Sequence, residues 1–116
     1  SVCFEISPTG RQSIRHAAEL NGVADRVDIR GEADAAELKQ VIDRCPGPAA
    51  VLIDIEGAEL MFLDPATLDG ISKVVVELHP DIYGHQGMVD YIEDFRQAGF
   101  DQVETAGTTF FFRRAA

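Results

Sequence analysis

Apolar residues recur along the chain in short blocks that alternate between strand and helix spacing. Residues 2–6 form a β-rich run, and "SPTG" follows, with Ser7 or Thr9 as a helix cap and Pro8 suited to the first turn. Ile14, Ala17 and Ala18 keep helical spacing, and Leu20 leads into Asn21-Gly22, a stop signal. Residues 27–30 predict a second short strand. "GEAD" then turns into a helix capped by Asp34, with Glu37 three residues on in the manner of a capping box. Leu38, Val41 and Ile42 give it an apolar stripe, and "CPGP" ends it.

Residues 49–55 are the strongest strand, without polar alternation until Asp54, the pattern of a strand covered on both faces. A helix is predicted from Ala58 towards Leu63, and residues 73–78 form another buried strand stopped by Pro80. Met88, Ile92 and Phe95, at i, i+4 and i+7, predict an amphipathic helix ending at Gly99. The tail reads as two strands, 101–105 and 108–113, joined at Ala106-Gly107. This order predicts an α/β, Rossmann-like fold: a mostly parallel sheet with helices on both faces and a C-terminal antiparallel hairpin. A length of 116 residues suits one domain.

Composition narrows the partners. The formal charge is −10, with acidic residues spread along the chain, which disfavours phosphate backbones and anionic membranes. No apolar run approaches the roughly 20 residues that span a bilayer. A small-molecule substrate is expected, with no nucleic acid and no membrane. Cys3 and Cys45 show no CxxC pattern and read as reduced, half-buried thiols of a cytoplasmic protein. The chain opens inside a strand pattern without methionine, as expected of a processed chain or a piece of a longer one.

Ligands of open α/β sheets bind beyond the carboxyl ends of the strands. Acids recur at those places here: Glu5, then Glu32 after Gly31, then Asp54 and Glu56, then Glu77 with His79. Glu5 can accept hydrogen bonds from a ribose diol or be an ordinary turn carboxylate. Glu32 serves equally as a ligand neighbour beside a permissive glycine or as charge at a helix start. Within "LIDIEGAEL", residues 52–60, the helix dipole accounts for Glu56 and Glu59 and leaves Asp54 unexplained. Glu77 and His79, two apart, face one side at strand period, and His79 titrates near neutrality. His16 and His85 read as solvated. The donor types of Asp54, Glu56 and His79 suit Mg²⁺ or Mn²⁺, but the spacing is not specific and no metal is assigned. There is no GxSxG, Walker loop or paired-cysteine site.

"FEISP", "LNGVADRV", "LIDIEGAEL" and "VVVELHP", in this order and spacing, resemble the FkbM-type class I S-adenosylmethionine-dependent methyltransferases. The family pattern is close to "FEPSP", "LNG", "K-I-D-V-E-G-A-E" and "V-E-x-H", and the match runs from Val2 to about Pro80. The resemblance implies that Glu5 holds the ribose of S-adenosylmethionine, that Ile6 lines the adenine, and that Glu32 and Ala33 lie beside it. It implies that Asp54, with Glu56 close by, faces the methionine end and the methyl acceptor. Glu77 and His79 would line the acceptor pocket, His79 as a base, so that Asp54, Glu56 and His79 form the catalytic set. The acceptor would be an oxygen or nitrogen of a small or sugar-like molecule.

The glycine-rich turn that such enzymes carry after their first strand has no counterpart here. The expectation is therefore one domain, 1–116, incomplete on its N-terminal side. The sheet would then be split between the strands at Val2 and Ala49, with an upstream segment or a second copy completing it. Two further readings stand beside this one. A receiver-like signalling domain would use Asp54 as phospho-acceptor, but the acidic pair and the lysine it needs are missing. A non-catalytic module of methyltransferase fold would keep only partner binding.

Overall fold

A computed structural model describes residues 1–62, 64 and 68–115. The chain divides into two compact units, Ser1–Val41 and Ile42–Ala116. In the first, β1 (Val2–Phe4) pairs in parallel with β2 (Asp28–Arg30). Between them run α1 (Pro8–Leu20) and a single 3₁₀ turn, Ala24–Arg26. The Ser7 hydroxyl accepts from the Gly10 N–H, so Ser7 is the cap that the sequence offered, and Asn21 closes α1. Then α2 (Ala35–Asp43) begins where Asp34 Oδ1 accepts from the Glu37 N–H at 2.7 Å. The reciprocal half of that capping box is not made, because Glu37 turns to Arg30 at 3.3 Å instead. Ala18 is the one buried hydrophobic residue described in this unit.

The second unit carries the core. It contains β3 (Ala49–Ile53), α3 (Glu59–Phe62), β4 (Ile71–Glu77), α4 (Pro80–Gln97), β5 (Phe100–Ala106) and β6 (Thr109–Arg114). Strand order is β3-β4-β6-β5, with β3 and β4 parallel and the two β6 pairings antiparallel. One face is built by α4. Phe95 stacks on Phe112 at 4.2 Å between centroids, with Tyr91 and Phe100 edge-on at 5.2 and 5.6 Å. Val74, Val76, Ile71 and Leu78 of β4 and its exit complete this fully buried layer. Arg114 ties the sheet end down by donating to the carbonyls of Leu68 and Ile71.

The α/β character is as the pattern predicts, and the strands at Val2 and Ala49 lie in separate sheets, as expected, whereas the larger sheet is mixed and not mostly parallel. The strands fall into a parallel pair and a four-stranded mixed sheet. The short link at Gly107 (φ 61°) turns β5 back into an antiparallel β6, and β6 inserts between β4 and β5. Covering on both faces also fails along β3, where Ala50 and Leu52 are exposed, Leu52 to 80%, whereas the neighbouring Ile53 is buried. An apolar run such as "AAVLI" carries no mark of which face packs, so the sequence could not tell the two apart.

The predicted helix from Ala58 begins at Glu59, and its end at Leu63 lies outside the described residues. The helix read from Met88 to Phe95 starts earlier, at Pro80, and is interrupted at Gly84 (φ 86°). Among the described residues no helix is long and apolar enough to cross a membrane.

Candidate functional site

The parallel pair β3–β4 sets the site. Its register matches Ile53 with Val76, so the next residues, Asp54 and Glu77, leave the two strands side by side. Beyond Asp54 the chain turns sharply, with Glu56 at φ 52° and Gly57 at φ 94°. A Cβ at Gly57 would stand 2.5 Å from Ile82 Cδ1, so only glycine lets this turn pass under α4. The turn delivers Glu59, the first residue of α3, into the interior.

Glu59 is fully buried, the one charged residue among those described to be so. Its Oε2 accepts from the Gly57 N–H at 2.9 Å. Its Oε1 accepts from the Tyr83 hydroxyl at 2.8 Å and meets His79 Nδ1 at 2.8 Å. The Tyr83 oxygen in turn accepts from the His79 backbone N–H at 2.7 Å. Burial pulls the Glu59 pKa upward, but the hydrogen bonds from His79, a backbone N–H and Tyr83 outweigh it, and the carboxyl sits below its ordinary value. An ionised carboxylate only accepts, so Nδ1 carries a proton and the neutral His79 ring has its lone pair on Nε2.

Nε2 points towards the strand ends, 4.0 Å from Asp54 Oδ1 and 3.9 Å from Glu56 Oε2. The His79 side chain is 13% exposed, against 59% for Asp54 and 87% for Glu56, so the ring forms the floor of the cluster and the carboxylates its rim. The hydrogen bond to Glu59 raises the His79 pKa, burial works against it, and the charges of Glu59, Glu56 and Glu77 add to the rise. Glu77 is raised as well, first by the charge of Asp54 and then by burial. Burial, with Glu59 close by, pushes Tyr83 up to about 12, so its hydroxyl stays a donor at every physiological pH.

The residues assigned to the methyl-acceptor side, Asp54, Glu56, Glu77 and His79, are thus brought together. Of those assigned to the cofactor, Glu5, Ile6, Glu32 and Ala33 collect within the first unit, whereas Asp54, assigned to its methionine end, lies in the second. Glu5 follows β1, and the pairing of Phe4 with Arg30 places Gly31 and then Glu32 at the same end, ahead of Ala33. Glu5 Oε1 accepts from the Ser7 N–H at 2.8 Å, while Arg11 donates to the carbonyls of Glu5 and Ile6. A Cβ at Gly10 would lie 2.7 Å from the Glu5 side chain, so glycine there lets the carboxylate fold over the start of α1. One carboxylate oxygen of Glu5 remains for a further donor. Ile6 is 67% exposed and Glu32 is exposed.

Glu59 stands in the first turn of α3, as read, and is besides the buried hub of the site. Glu56, read into the same turn, lies ahead of α3 at φ 52°. Tyr83 is a further member of the site that the sequence reading does not include. Its signal was the spacing of His79 and Tyr83, one helical turn apart, two polar groups that need a common acceptor if both face inward. His16 and His85 are exposed, as read, and so is Cys45, which was expected half-buried like Cys3. A scan against protein-family models, a search of curated proteins and a search of solved structures each return no match.

Proposed function

We propose that this chain belongs to a Rossmann-like, S-adenosylmethionine-dependent methyltransferase domain of the FkbM type. It would act on an oxygen or nitrogen of a small-molecule or sugar-like acceptor. The observation that carries this reading is the cluster of Asp54, Glu56, Glu77 and His79 at the carboxyl ends of two adjacent parallel strands, with Nε2 directed into it. Acceptors of open α/β sheets bind at such ends. The second collection, Glu5, Ile6, Glu32 and Ala33, stands in the same relation to β1 and β2 and suits the ribose and adenine of the cofactor.

In this reading the acceptor lone pair attacks the sulfonium methyl in line, the carbon–sulfur bond breaks, and S-adenosylhomocysteine leaves. The acceptor proton passes to the carboxylate–imidazole cluster. Most of the rate would come from positioning and from a site closed to water.

Calorimetric titration with S-adenosylhomocysteine tests this, on the 116-residue chain and on one extended upstream of Ser1. Binding is expected in at least the longer chain. Glu5→Ala is expected to weaken it by about 1–3 kcal/mol, the worth of charge-assisted hydrogen bonds. Unchanged affinity removes Glu5 from the site. Absence of binding by both chains, with Mg²⁺-dependent acetyl-phosphate labelling of Asp54, would replace this reading with the receiver.

A further inference from the structure

Asp54, Glu77 and His79 each offer one donor atom, and the three atoms lie within 4.8 Å of one another. We propose that they bind one divalent cation of the Mn²⁺ or Zn²⁺ kind at the ends of β3 and β4.

The first support is charge. The β3–β4 register sets two carboxylates side by side, and like charges on neighbouring strands repel. Among the described residues no lysine or arginine pairs with Asp54, Glu56 or Glu77; the ion pairs of Asp54 and Glu56 are with His79. A cation between the donors removes that repulsion.

The second support lies outside the donor set. Metal-bound histidines donate their other ring N–H to a carboxylate or carbonyl, which fixes the tautomer and aims the lone pair. Here the fully buried Glu59 does this to Nδ1, and Tyr83 fixes Glu59 in turn. A ring held this way turns Nε2 towards Asp54 and Glu56, which at 4.0 and 3.9 Å are too far for hydrogen bonds, so its lone pair can meet a cation shared with the carboxylates.

Size and donor type choose the ion. Donors that share one ion at roughly 2.1 Å in neighbouring tetrahedral or octahedral positions sit about 3–3.5 Å apart. The three donor atoms here, within 4.8 Å of one another, close on an ion by side-chain rotation, for which the 59% exposed Asp54 has room. Two carboxylate oxygens with one imidazole nitrogen suit Mn²⁺ or Zn²⁺, whereas Ca²⁺ takes more oxygens and thiolate-seeking ions find none. Three protein ligands leave coordination positions open towards solvent. The cation's use there rests on the methyl-transfer reading: it would draw the acceptor oxygen in and favour its deprotonation. Glu56, next to the triad but not part of it, is then the group that takes the proton.

Mn²⁺ titration of the chelator-stripped chain, followed by electron paramagnetic resonance, tests the site, with Zn²⁺ as competitor. The expected result is one Mn²⁺ per chain, displaced by Zn²⁺. Its affinity should fall about tenfold or more in Asp54→Asn and in Glu77→Gln, each of which loses a donor. It should fall about 10–100-fold in Glu59→Gln, which loses the support of the ring. Asp101→Asn, on exposed β5, should bind as the parent does. If Glu59→Gln unfolds, the two rim variants decide alone. No Mn²⁺ binding at millimolar metal, or binding that survives Asp54→Asn and Glu77→Gln, overturns the site. Mn²⁺ binding without S-adenosylhomocysteine binding keeps the site and removes the methyl-transfer reading; the reverse removes the site.

Discussion

Glu59→Ala is expected to destabilise the second unit by about 3–5 kcal/mol, the usual cost of removing one partner from a buried charged network. Three donors lose their acceptor at once: the Gly57 N–H, His79 Nδ1–H and the Tyr83 hydroxyl. None of them can turn to water without opening the packing of α3 and α4 around Glu59, whose backbone carbonyl also accepts from Tyr91 at 3.2 Å. The measurement is urea unfolding followed by tyrosine fluorescence. The chain has no tryptophan, and its two tyrosines, Tyr83 and Tyr91, both lie in Ile42–Ala116, so the signal reports that unit alone. Glu56→Ala is the control, because its side chain is 87% exposed. A Glu59→Ala chain as stable as Glu56→Ala would mean that Glu59 is not the hub.

Phe95→Ala is expected to cost a similar amount, about 3–5 kcal/mol, for a different reason. Phe95 is fully buried, and its ring meets Phe112 face to face and Tyr91 and Phe100 edge to face. Deletion leaves a cavity that the two antiparallel strands cannot close, since Phe100 and Phe112 are held by the β5–β6 pairing. The same urea experiment checks it, with Val89→Ala on the outer side of α4, 41% exposed, as the contrasting substitution. A loss no larger than that of Val89→Ala would contradict the placing of Phe95 at the centre of the core.

The alternating apolar blocks were enough to place every described strand within a few residues, because period 2 and period 3.6 are local properties. The register of β3 on β4 was not legible, although it is what sets Asp54 beside Glu77. Nor was the insertion of β6 beside β4, since strand order depends on which edges are free. At the site the sequence was most informative about the rim. Asp54, Glu56 and Glu77 are polar residues at the ends of apolar runs, a contrast that stands out in one dimension. Glu59 did not stand out, because an acid in the first turn of a helix is ordinary. Its role comes from a turn at Glu56-Gly57 that swings α3 inward, and from His79 and Tyr83, twenty and twenty-four residues further on.

The claim on which the site depends is that Glu59 fixes His79 as the Nδ1–H tautomer, with Nε2 open to Asp54, Glu56 and Glu77. Long-range ¹H–¹⁵N spectra read this directly in the chelator-treated chain, at a pH where all three imidazoles are neutral. His79 is expected to show a protonated Nδ1 and a bare Nε2, while the exposed His16 and His85 show the tautomer mixture of free imidazole. A His79 ring protonated at Nε2, or averaged like the other two, would contradict the account.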